Sequence, residues 1–315
     1  MSASLAEPLF AAAPTPRDVA AWTPSTEPLR FFLGGRDLGA LQIPALTLNL
    51  PFTHLSTNLE DTVPPWEALP PGIEAAVVPA QPVDAEPPRL AFGPDMVRYV
   101  GPCTSRYSVN LQGTFADYMK KFGAKARYNL TRTVRKFAEF SGGQVLWRHF
   151  RSAEELRVFS RLADQISEKS WGAEVGGHGF AGRVPEAELQ ELAERDLARG
   201  YVLFRGEQPV AYVFCREQYE HLLYQHIAYD QDYAKWSPGS VLLYLLLERL
   251  FAQREYQTLD LGEGTLGYKS FFATNSVRCA RVIYFRRTRR NLAIATGHLA
   301  LCTMSVAADC WRGSG

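Results

Sequence analysis

The chain lacks the cysteine pairings that mark a metal ribbon or a disulfide scaffold. Its five cysteines, at positions 103, 215, 279, 302 and 310, are scattered, and no two form a CxxC pair. That usage suits a reducing compartment, so a cytoplasmic protein without metal is expected. An excess of one charge is missing too. Lys and Arg total 34 against 33 Asp and Glu, a net charge of +1. This argues against nucleic acid as the main partner, while leaving room for a local basic patch. GxSxG, HExxH, a Walker loop and a Rossmann fingerprint are all absent. The N-terminus shows no basic segment followed by an apolar core, so no secretory signal is expected. No run is clearly apolar for the twenty or so residues a spanning helix needs. "NLAIATGHLALCTMSVAADCW" follows Arg286, Arg287, Arg289 and Arg290, but it carries His298 and Asp309. It is expected as a helix docked on the domain or lying on a membrane surface.

What is present is an ordinary globular composition, 46% hydrophobic and 21% charged over 315 residues. That length allows one or two domains. Residues 1–28 are rich in Ala and Pro and are expected to be disordered. "LRFFLGGRDLGALQIPAL" reads as a hairpin turning at Gly34-Gly35. Residues 60–94 are rich in proline and read as a connection or irregular layer, and "MVRYVGPCTSRYSVNL" as one or two strands. Helical periodicity then sets in. Ala126, Leu130, Val134 and Phe137 share one face, Arg132, Arg135 and Lys136 face away, and Gly142-Gly143 stop the helix. "QVLWRHF" reads as a strand. Ser152 and Glu155 predict a capping box, and Pro185 opens a helix that Gly200 is expected to end. Three strands follow, "YVLFR", "PVAYVFCRE" and "HLLYQHIAYD". After the leucine-rich helix come the strand "YQTLDLGEG", the short helix "GYKSFFAT" and the strand "RCARVIYFRR".

The stretch "YDQDYAKWSPGSVLLYLLLERLF" carries the most information. Its leucines cover most of a helix circumference, which predicts a buried helix. Ser237 is expected to cap it, with Pro238 at the first helical position. Gly239 and Ser240 leave the backbone approachable, and a helix start of this kind can hold an anion. The other reading is an ordinary capped core helix. The strand–helix–strand order predicts two parallel neighbours, ending near Tyr229 and Leu261, with a ligand crevice at their carboxyl ends. The expected fold class is therefore mixed α/β, a mixed sheet flanked by helices.

The segments "RYNLTRTVRKF", "SW" at 170–171, "GEQPVAYVF", "YDQDYAKWSPGSVLLYLLLE" and "LDLGEGTLGYKSFFAT" together resemble the acyl-CoA N-acyltransferase (GNAT) superfamily. Within it, they resemble the branch of the cellulose-biosynthesis protein CelD. They are also similar to the Fem-type aminoacyltransferases, which duplicate the fold. The resemblance implies a degenerate GNAT-like half over residues 29–150, an acyltransferase domain over 151–290 and a helical tail over 291–315. It implies acetyl-CoA or another acyl-CoA as co-substrate, with pyrophosphate on the backbone of Ser237, Gly239 and Ser240. It departs from the usual Arg/Gln-x-x-Gly-x-Gly/Ala loop in offering Gly239 alone. The activity implied is acyl transfer, acetyl or longer, to an amine of a small molecule or sugar. The alternatives are aminoacyl transfer from charged tRNA, or a non-catalytic module in polysaccharide or natural-product assembly.

Such chemistry needs a base, oxyanion donors and an acid for the leaving thiolate. Tyr268 heads the last short helix, where the family often places a tyrosine acid; an aromatic packing under the sheet is the competing reading. Lys269 is expected to meet a substrate's negative charge. Glu263, between two glycines, is the base candidate, with His226 as a second. Asp260 is expected either at the substrate or holding the loop through N–H bonds. Trp171, followed by Gly172, Gly176, Gly177 and Gly179, suggests a loop over the acceptor side. The basic face Lys125, Arg132, Arg135 and Lys136 is either solvated or recognises an anionic acceptor or the phosphate of a carrier protein.

Overall fold

The structure is a computed structural model that describes residues 14–33, 36–68, 70–170, 179–264 and 266–312. The chain forms two compact units, residues 1–105 with 277–315, and residues 106–276. This division differs from the expected boundaries at 28, 150 and 290 in that the chain returns at its end to the first unit.

The first unit opens with β1 (Trp22–Leu33) and β2 (Arg36–Leu48), paired antiparallel down to Leu33 opposite Arg36. The hairpin is as expected; its Gly34-Gly35 turn lies outside the described residues. Disorder over residues 1–28 is corrected for the described part, because β1 begins at Trp22. Pro24 and Pro28 are tolerated because β1 pairs with β2 alone, leaving one edge that needs no donors. The proline-rich connection is corrected as well. It contains β3 (Ala75–Pro82), nearly all of it buried. Pro79 falls where the pairing with the final strand slips a register and beyond the β2 ladder, so its missing N–H breaks no regular pair. β4 (Leu90–Phe92) pairs with β5 (Met96–Asn110), and β5 runs on into the second unit.

The second unit holds α1 (Phe115–Met119), α2 (Ala124–Phe140), β6 (Leu146–Phe150), α3 (Ala153–Glu168), α4 (Phe180–Arg183) and α5 (Glu186–Glu194). Then come β7 (Ala198–Arg205), β8 (Gln208–Gln218), β9 (His221–Tyr229), α6 (Pro238–Gln253), β10 (Thr258–Glu263) and α7 (Gly267–Phe272). The strand order is β5-β10-β9-β8-β7-β6. Both halves of the Ser152–Glu155 capping box form. Gly142 and Gly143, at φ 86° and 100°, end α2. Gly200 does not end a helix. α5 ends before Asp196, itself left-handed at φ 56°, and Gly200 lies inside β7. A Cβ there would meet the Phe159 ring at 2.6 Å, so the glycine lets α3 lie close on the sheet. One core layer, with the α6 leucines, fills one face; a second, around Phe159, Phe180 and Phe214, fills the other. This is the mixed α/β sheet that the sequence predicts.

Back in the first unit, β11 (Asn275–Arg286) pairs antiparallel with β3, and α8 (Arg289–Arg312) follows it. α8 docks through Ile294, Ala295 and Leu299. His298 Nε2 faces the Arg30 carbonyl at 2.9 Å and so carries the proton; Nδ1 then accepts from the Tyr99 hydroxyl at 2.7 Å. Among the described residues no helix is long and apolar enough to cross a membrane.

Candidate functional site

β9 and β10 are parallel neighbours, as expected, but only over three residues. His221, Leu222 and Leu223 face Thr258, Leu259 and Asp260. β9 then continues to Tyr229 on β8, while β10 continues to Glu263 on β5. The strands part at their carboxyl ends. A cleft of about 690 Å³ opens there, mainly apolar in lining, with Tyr224, Ile227 and Tyr229 from β9, Leu243 from α6, and Tyr268 and Phe272 from α7.

The first turn of α6 closes one end, through Ser237, Gly239 and Ser240. Pro238 occupies the first helical position. Ser237 departs from the expectation. It takes a left-handed conformation (φ 51°, ψ 49°), and its side chain makes no capping bond. Such a conformation costs a non-glycine residue about 1–2 kcal/mol. It is fixed from both sides: Ser237 N donates to Ala234 O at 2.9 Å, and Ser237 O accepts from Val241 N at 3.1 Å. Asp230 caps the preceding turn by accepting from Asp232 N at 3.0 Å. A Cβ on Gly239 would stand 3.6 Å from the Tyr229 ring, an ordinary contact. The fold therefore does not demand glycine there, and its value is an open approach to the helix's first N–H groups.

Tyr268 is half-buried, and desolvation pushes its hydroxyl up to about 12. Tyr224 is fully buried and is raised well above the ordinary range, by desolvation first and by the neighbouring Tyr268 next. Both line the cleft and both stay protonated at neutral pH. Strict alternation along β9 would put Tyr224 on the same face as His226; the strand does not keep it. The physical reason lies in a bulge. Tyr224 pairs with Cys215 and His226 with Phe214, so Gln225 is an extra residue in β9. That residue breaks the alternation. Tyr224 joins the α6 side, while His226 stacks on Phe214 in the opposite layer, with ring centroids 6.0 Å apart. Burial, and Arg183 after it, hold His226 below its usual pKa. His226 is not among the residues that line the cleft, although Arg183, whose charge acts on it, is.

Asp260, Glu263 and Lys269 gather at the carboxyl end of β10 and are not among the residues that line the cleft. Asp260 is buried and accepts from Arg106 Nε at 2.8 Å and from Gly262 N at 2.8 Å, bonds that hold the carboxyl end of β10. Lys269 donates to the Glu263 carbonyl at 2.6 Å, and burial, followed by Arg106, lowers its pKa. Glu263 is exposed at the strand end. Trp171 lies outside the described residues. No carboxylate lines the cleft among the described residues; Arg183, Gln231, Ser167, Ser170 and Tyr212 bring further polar groups to it. Among the described residues no cluster could hold a metal ion.

Residues 124–270 match the model of the acetyltransferase (GNAT) domain family. The fold is similar to that of FemX, with 9% identity and a TM-score of 0.51 over 87% of this chain and 90% of that one. The C-terminal domain of a putative lysylphosphatidylglycerol synthetase from Agrobacterium fabrum is also similar, at 11% identity and a TM-score of 0.48, covering 73% of each chain. L-PGS from Bacillus licheniformis is similar too, at 16% identity and a TM-score of 0.43, covering 68% of this chain and 67% of that one. No curated protein matches this sequence.

Proposed function

We propose that this chain is an N-acyltransferase. It moves an acyl group from acyl-CoA to an amine of a small molecule or sugar. The observation that carries this reading is the parting of β9 from β10 beyond Leu223 and Asp260, with the α6 start at one end of the opening and Tyr268 inside it. The residues fit an acyl-CoA. The first-turn N–H groups at Gly239 and Ser240 suit pyrophosphate, and the apolar wall suits an extended thioester arm.

In this reading the amine nitrogen attacks the thioester carbonyl carbon, and the carbonyl pair moves to oxygen. Tyr224 donates a hydrogen bond to that oxyanion. When the C–S bond breaks, Tyr268 gives its proton to sulfur and recovers one from the surplus on nitrogen, through water. The amine attacks in its neutral form. Assignment to the CelD-like branch rests on the quoted motifs and belongs to this proposal.

A second reading, Fem-like aminoacyl transfer, is favoured by the FemX likeness in fold and by the exposed basic residues of α2. A thermal-shift screen with acetyl-CoA, longer acyl-CoAs and free CoA separates the two, since a ligand of the folded state raises Tm. A rise with an acyl-CoA supports the first reading. Silence toward every CoA ligand removes it.

A further inference from the structure

α7 spans only Gly267–Phe272, yet it carries Tyr268 and Phe272 into the cleft wall. So short a helix does not hold itself in water, and its last carbonyls have no N–H groups of its own to receive. Both needs are met from α1 and the turn after it. The Tyr118 hydroxyl donates to Phe272 O at 2.8 Å. Lys121 Nζ donates to Phe271 O at 2.8 Å and also to Ala273 O. Two side chains thus take three consecutive carbonyls where α7 ends. We propose that Tyr118 and Lys121 are positioning residues for acyl transfer, holding α7 so that the Tyr268 hydroxyl faces the reacting thioester; this rests on the acyl-transfer reading above.

The clamp is itself held. Tyr118 is buried, its ring centroid 5.2 Å from that of Phe251 in α6 and 5.6 Å from that of Phe122. The Lys121 ammonium stands 5.5 Å from the Tyr118 ring centroid and 4.6 Å from that of Phe122, and both ring faces favour the cation. A cation also suits the negative end of a helix. Phe122 in turn packs on Phe271 and on the buried Phe272, with centroids 4.9 and 6.3 Å apart, so the apolar seat of α7 survives without the ammonium. At the other end, Lys269 reaches back to Glu263 O. What the clamp adds to packing is orientation. Rings in contact can slide on one another, whereas bonds to three named carbonyls fix the rotation of α7 about its axis. Chemistry tolerates little such rotation: a misplacement of about 1 Å can cost on the order of 10²-fold in rate.

The test follows thiol release from the acyl-CoA that most raises Tm in the screen above. Lys121→Met keeps an unbranched side chain of similar length and removes the charge and the donors. It should lower kcat roughly tenfold or more and speed hydrogen exchange at the α7 amides, while KM for the acyl-CoA and the urea midpoint stay near the parent's. Lys121→Arg, which restores a cation with donors, should recover most of the loss. Tyr118→Phe keeps the buried ring, should act in the same direction, and serves if Lys121→Met folds poorly. The decisive arm adds Lys121→Met to Tyr268→Phe. A residue that acts through the Tyr268 hydroxyl costs little once that hydroxyl is gone. A parental kcat in both Lys121→Met and Tyr118→Phe, or a full loss repeated in the Tyr268→Phe background, overturns the clamp while the acyl-transfer reading stands. A parent chain that neither binds nor cleaves any acyl-CoA overturns the two together.

Discussion

At the scale of single residues the proposed acyl transfer rests on two hydroxyls, and the α6 start on one serine. Tyr268→Phe keeps the ring and removes only the proton donor. Stability and CoA affinity should hold, and kcat should fall by on the order of 10²-fold, read in a coupled thiol-release assay. Tyr224→Phe should also lower kcat without changing donor affinity, because its hydroxyl serves an oxyanion that exists only during reaction. A kcat equal to the parent's in either variant returns that tyrosine to packing. Burial pushes the Tyr268 hydroxyl up to about 12, so the acid stays loaded through the alkaline range. Activity should therefore rise with pH as the amine deprotonates, with no falling limb from Tyr268 below about pH 10. Ser237→Ala separates cap from conformation. Ser237 makes no side-chain cap bond, so its loss should cost well under the roughly 1 kcal/mol of an ordinary N-cap, as measured by urea unfolding. Tyr268 and Gly239 were legible because sequence order alone puts them at the carboxyl ends of two parallel strands. Tyr224 was not, because an extra residue in a strand leaves no mark in composition.

At the scale of elements, local chemistry was the readable part. The capping box of α3 and the paired glycines after α2 act on their own backbone neighbours, so spacing reveals them. Elements defined by distant partners were hidden. β3 carries Pro79 and Pro82 and looks like a linker until its pairing partners are known. Gly200 looks like a helix stop and is a contact between α3 and β7. Gly200→Ala should drive a methyl into the Phe159 ring. The expected loss is about 1–3 kcal/mol in chemical denaturation, as for an overpacked core. A loss below about 0.5 kcal/mol would show that α3 can shift freely. Lys269 and Asp260 belong to this scale as well: they fasten the carboxyl end of β10, and Lys269→Met should raise the local exchange of the amides there more than it changes donor affinity.

Over the whole molecule, the chain leaves the first unit at residue 105 and returns to it at 277, a return that no local signal announces. Three histidines report on global stability. His149 is lowered to about 4 by burial first and by Arg249 next, and His226 and His298 are lowered by burial. A folded-state pKa below the unfolded 6.5 means that the native chain binds fewer protons, so stability is full above pH 6.5 and falls as pH drops toward 4. The urea midpoint should therefore decline from pH 7 to pH 5, and His149→Phe, which keeps the ring stacked on Tyr201, should flatten part of that slope. The placement of the donor on the α6 start remains the decisive point. Gly239→Asp adds a carboxylate where pyrophosphate would rest, at a position whose Cβ meets only ordinary contact. Titrating CoA into the wild-type chain and into folded Gly239→Asp measures it directly. Binding by the wild type that the variant loses by tenfold or more, about 1.4 kcal/mol, is the expected result; equal affinity in both, or no binding by the wild type, contradicts it.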